Sequence, residues 1–249
     1  MHDPSFLEHL AAFFLMVVIP LQSFLSGKIF EDGDPLTSNE KFKIYLANSA
    51  SQWILTVILL LIWWFSGKTL YDIGLRIPNL ERANLIWILV GAFLFAYILD
   101  AWWQVRNKKA RKQRNEEWSK YTPFLPTNLK EFSGFLIVVF TAAICEEILF
   151  RGFLIHYLLQ FVDNDLHGYF LVVLLPSVIF ASSHIYQGWE AVLKIALLAT
   201  VFATILLLTG SLLIPIVLHF LVNLLSGLLG LVFWDPEAAK SSGMEDLPE

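Results

Sequence analysis

Phe132-Ser133-Gly134-Phe135-Leu136-Ile137-Val138-Val139-Phe140-Thr141-Ala142-Ala143-Ile144-Cys145 runs without a charge into Glu146-Glu147-Ile148-Leu149-Phe150-Arg151-Gly152. The first part is apolar enough to lie inside a bilayer, and three charges then fall within six residues. An ionisable side chain in a membrane span costs about 2.5–3.5 kcal/mol even on the insertion scale. Either the helix has reached the headgroups, where charges are cheap, or the charges serve a purpose at membrane depth. The choice turns on whether other polar residues lie inside apolar runs elsewhere in the chain.

Hydrophobic residues make up 57% of the sequence and charged residues 16%, against about 45–50% and about 25% in soluble domains. Several runs approach the ~20 residues that cross a bilayer as a helix. The expected fold is all-α, a polytopic transmembrane helix bundle of about seven spans, with six to eight as the range. The spans are read at residues 6–24, 43–65, 85–103, 130–161, 168–184, 190–208 and 212–234. Three regions follow: N-terminal spans with a basic loop (1–126), a C-terminal core of spans (127–234) and a polar tail expected to be disordered (235–249). No internal inverted repeat of the transporter kind is visible.

Several features refine this outline. Pro20 predicts a kink or stop near the end of the first span. Residues 1–10 hold no lysine or arginine, so the first run is read as a retained span and not a cleaved signal. Asn48, Ser49, Ser51 and Gln52 are read as small or polar groups for helix–helix contact. Cys145, the one cysteine, excludes an intrachain disulfide and any multi-cysteine metal site, and is read as a packing residue.

Charge placement orients the bundle. Arg106, Lys108, Lys109, Arg111, Lys112 and Arg114 crowd the segment 106–130, which is read as a loop that sets topology and touches anionic lipid, with no nucleic-acid partner. Seven spans put the termini on opposite sides, and the loops after spans one, three and five share a side with the C-terminus. Most lysines and arginines lie there, so that side is expected to be cytoplasmic.

Two further polar groups interrupt apolar runs: His184 after Phe180-Ala181-Ser182-Ser183, and His219 with Asn223 in the last span. Polar groups at membrane depth must face one another or a water-filled cavity, so convergence on one site is the economical reading. Glu147 and Arg151 stand i,i+4 in the favourable order for an ion pair. Glu146 is rotated by about 100° from Glu147, which directs the two carboxylates to different faces. Glu146 can then take a proton from water with help from His184, while His219 and Asn223 donate to the oxyanion of an attacked carbonyl. Taken singly, each group has a structural reading: an interfacial His184, a His219–Asn223 interhelical contact, a packing Glu147–Arg151 pair. A proton-relay transporter would use the same residue types.

Glu146-Glu147-x-x-x-Arg151, Phe180-x-x-x-His184 and His219-x-x-x-Asn223, in this order, resemble the three motifs of the CPBP family. These are the CAAX-protease and bacteriocin-processing (Abi) intramembrane endopeptidases. The resemblance covers residues 127–234. It implies Glu146 as the base, His184 as its helper, His219 and Asn223 as the oxyanion pair, and Glu147 and Arg151 as supports. It implies no cofactor in the glutamate-type mechanism; a zinc-dependent version would use Glu146, His184 and His219. It also implies an integral protein of a prokaryotic cytoplasmic membrane, open to the cytoplasm, whose partners are the lipid bilayer and a peptide or membrane-protein substrate. A non-catalytic immunity or scaffold member of the family is the alternative.

Overall fold

The computed structural model describes residues 3–26 and 36–235, and every regular element among them is helical. The 236–249 part of the tail and most of the first loop lie outside the described residues. Among the described residues, six helices are long and apolar enough to cross a membrane. They are α1 (Phe6–Leu25), α2 (Ser38–Phe65), α3 (Ala83–Val105), α5 (Leu129–Leu158), α7 (Trp189–Thr209) and α8 (Leu213–Phe233). Between them lie α4 (Lys108–Tyr121) and the shorter apolar α6 (Leu166–Ser182). With the apolar α6 beside them, the helices agree with a bundle of about seven spans.

Local chemistry sets the ends. Thr37 and Glu40 form a reciprocal capping box, which satisfies two orphan N–H groups and starts α2 five residues ahead of the hydrophobic pattern. Ser5 with Glu8 does the same for α1. Asn128 and Asp165 cap α5 and α6 through their side chains. Gly210, at φ 65°, closes α7 in the left-handed region that glycine enters without a Cβ clash.

Two expectations are corrected. Pro20 does not stop α1; the chain winds as a π-helix over Phe14–Val18 just before it and continues helically to Ser26. Such a local rewinding absorbs the missing N–H and the ring of a proline. The segment 106–130 is not simply a loop, because α4 forms within it, started by the Asn107 side chain accepting from Ala110 N–H. That helix is largely polar; it is held by Trp118, which is buried, and by Asn115, which donates to Phe233 O at 3.0 Å and accepts from Asp235 N–H at 2.8 Å.

The helices traverse the bundle alternately. At one end, Lys41 donates to Leu125 O at 2.8 Å and pairs with Glu131 at 2.9 Å, Tyr45 donates to Phe124 O at 2.6 Å, and Tyr186 meets the Phe124 ring. The start of α2, the basic α4, the start of α5, the turn after α6 and the end of α8 therefore share this basic end. At the other end, Lys68 pairs with Glu8, Asn79 N–H donates to Thr209 O at 2.8 Å, and Leu212 N–H donates to Gly74 O at 2.8 Å. The outward faces stay apolar, with Leu10, Trp87, Phe95, Leu197 and Val232 exposed. Such surface suits lipid and would be a liability in water. Helix α5 is the most enclosed of the long helices and packs along α2 and α8, while α6 packs along α7.

Candidate active site

The site grows from an irregularity in α5. After Glu146 the chain leaves the α-helical path and winds as a π-helix from Glu147 to Leu154, with all eight residues buried. A π turn bonds i to i+5, is rare, and occurs most often at functional positions. The looser winding separates consecutive side chains by less than the ~100° of an α-helix. A step of that size still directs Glu146 and Glu147 to different sides: Glu146 meets Gln52 and His219 Nε2, and Glu147 meets Arg151 and His219 Nδ1. Both reach His219 on α8.

The imidazole of His219 is the centre of the cluster. Its Nδ1 stands 2.8 Å from Glu147 Oε1, and its Nε2 stands 3.7 Å from Glu146 Oε2. A hydrogen bond from one ring nitrogen fixes what the other can do: with Nδ1–H donated to Glu147, Nε2 is the nitrogen presented to Glu146. Behind Glu147 lies Arg151, its Nη1 3.1 Å from the same Oε1. Both members of this pair are buried, yet their contact is one of proximity, because neither terminal guanidinium nitrogen has a well-directed hydrogen bond among the described residues. The Arg151 guanidinium lies 4.2 Å above the Phe180 ring and 5.8 Å from that of Phe202. Aromatic faces attract a cation in such positions, most strongly where water is absent.

Glu146 is less enclosed than Glu147, with 15% of its side chain exposed against none. Its Oε1 accepts a hydrogen bond from Gln52 Nε2 of α2 at 3.0 Å. Its two oxygens thus have partners on two different helices. Gln52 is the site residue that the sequence reading assigned to helix contact; an amide in mid-span, the very criterion that drew attention to Asn223, was the available signal.

His184 follows the end of α6 and opens the turn Ile185–Gln187. Its Nδ1 stands 2.9 Å from Phe180 O, and its ring packs on Phe180 (4.7 Å between centroids) and stacks with Tyr186 (6.1 Å). No hydrogen bond joins it to Glu146 among the described residues, though it lies within electrostatic reach of Glu146, His219 and Arg151. Phe180 is the shared wall, since its ring also stands 6.3 Å from that of His219. Asn223 lies one turn beyond His219 on α8, half-buried, with its amide making no hydrogen bond among the described residues. Cys145 is fully buried beside Glu146.

Among the described residues, no three histidine, cysteine, aspartate or glutamate side chains are gathered as ligands for one metal ion. In this arrangement Glu146 and His219 meet, and the His184 imidazole is turned to Phe180 O. The chemistry on hand is that of a carboxylate, an imidazole fixed by a second carboxylate, a second imidazole and an unengaged amide, in a largely apolar surround.

Residues 128–225 match the family model described as Rce1-like, type II CAAX prenyl endopeptidase. The matched interval contains Glu146, Glu147, Arg151, His184, His219 and Asn223, and leaves Gln52 outside. No curated protein matched the chain, and neither did any solved structure.

Proposed function

We propose that this chain, whose residues 128–225 match the Rce1-like model, hydrolyses a peptide bond within the membrane by water that Glu146 activates. The observation that carries this reading is the His219 imidazole set between Glu146 and Glu147. Glu146 takes a proton from water as the oxygen attacks the carbonyl carbon, and later returns it to the departing amine. His219, oriented through Nδ1 by Glu147, turns Nε2 to the reacting groups and, once that nitrogen carries a proton, donates to the oxyanion beside the Asn223 amide. His184, held through Nδ1 by Phe180 O, offers Nε2 to the same water. Arg151 offsets the second buried carboxylate, so that Glu147 can orient His219 without an unbalanced charge.

The substrate class we assign is a prenylated C-terminal peptide, or another peptide that reaches the bilayer. The short α6 ends at His184, and the turn after it meets Phe124 at the basic end. We place that end in the cytoplasm, because α4 concentrates the chain's lysines and arginines there.

The test uses the purified protein in liposomes with a farnesylated peptide ending in a CAAX sequence. Glu146→Gln keeps size and polarity and removes the base, and cleavage should fall by at least about 100-fold with normal membrane insertion. Cleavage at the wild-type rate would end the hydrolytic reading.

A further inference from the structure

We propose that Gln52 is a positioning residue for Glu146, supplied by a helix outside the family-matched interval. The inference rests on the reading of Glu146 as the base. Gln52 Nε2 stands 3.0 Å from Glu146 Oε1, while Oε2 faces His219 Nε2 at 3.7 Å. One carboxylate oxygen is therefore anchored to α2 and the other left for the reacting side. A glutamate side chain turns about three bonds, and a second anchor fixes its carboxylate plane where the His219 contact alone would leave it free to rotate. An ionised carboxylate only accepts hydrogen bonds, so the Gln52 NH₂ is the half of the amide that fits.

A packing role does not account for this side chain. Gln52 Oε1 is buried without a hydrogen-bond partner among the described residues, as is Ser49 Oγ one turn away. Leaving a buried acceptor unpaired is costly, and at a site chosen only for helix contact a methionine or leucine would avoid that cost. The polar group on this face of α2 is explained by its donor, and the donor's partner is Glu146. Helices α2 and α5 pack closely along their length, which keeps the amide in reach.

Gln52→Met preserves length and removes the donor. With the same liposomes and farnesylated peptide, kcat should fall about 10- to 100-fold, the loss of one hydrogen bond to a charged group, with KM within about twofold. A variant with wild-type kcat overturns the inference. Glu146→Gln run alongside separates the two readings. If it cleaves normally, the hydrolytic reading itself has failed. If it is inactive while Gln52→Met is unaffected, only the positioning role has failed. Gln52→Asn, which keeps the amide but withdraws it by one methylene, replaces Gln52→Met if that variant does not insert, with the same readouts.

Discussion

His219, Glu147 and Arg151 form a chain of contacts in which each member depends on the next. Glu147 is wholly buried and has two positive or hydrogen-bonding neighbours, Arg151 at 3.1 Å and His219 at 2.8 Å. Removing one partner of a buried ion pair leaves the other charge uncompensated, at a cost of about 3–5 kcal/mol. Arg151→Met should therefore lower stability by that order, read as unfolding in detergent by heat or denaturant. The pair Glu147→Gln/Arg151→Met should recover part of the loss, because the orphaned charge goes with its partner. If the double variant is as unstable as the sum of the single ones, the contact is not a coupled pair. At this scale the sequence was informative wherever charge was involved: the i,i+4 spacing of Glu147 and Arg151 announced their contact. Gln52 was hidden, because a neutral amide among Ser49 and Ser51 is indistinguishable from helix-packing polarity until its partner is seen.

The elements add what spacing cannot express. A π turn leaves no signature in the apolar pattern, so the winding over Glu147–Leu154 was not legible. The caps moved the start of α2 back to Ser38, and α4 escaped notice because it has no apolar period, only Trp118 as an anchor. Within the π segment Gly152 has a spatial reason. A methyl group there would lie 3.0 Å from Ile73 Cγ1, 3.1 Å from Ile73 O and 3.1 Å from Leu212 Cδ1. Both neighbours are fully buried, and one of the contacts is backbone, so little can yield. Gly152→Ala should lower stability by about 1–3 kcal/mol, the usual range for overpacking, as measured by thermal unfolding in detergent. An unchanged transition would show that the loop carrying Ile73 moves freely.

For the whole molecule, hydrophobic run lengths and the clustering of basic residues were enough to lay out seven spans and their two ends. They were enough because lipid tolerates few alternatives to a helix. Which helices touch was not legible, since apolar all-round helices carry no facing information. The orientation can be tested directly. Cys145 is the one cysteine and is buried, so a thiol reagent that cannot cross membranes has no background target. Lys109→Cys, on the exposed side of α4, should react in inside-out vesicles and not in intact cells. Labelling of intact cells would reverse the topology.

The brevity of α6 has a consequence for the bilayer itself. Its 17 residues rise about 26 Å at 1.5 Å each, short of a hydrocarbon core of about 30 Å. A helix shorter than the local hydrocarbon thickness draws the lipid inward around it. Around α6 this is expected to lower the headgroup plane toward His184, on the side where the short helix ends. A lipid-attached peptide would then meet the carboxylates at a dent in the membrane, with less of the hydrocarbon layer to cross. Membrane thickness becomes a variable of the reaction, and bilayers of shorter acyl chains should favour it.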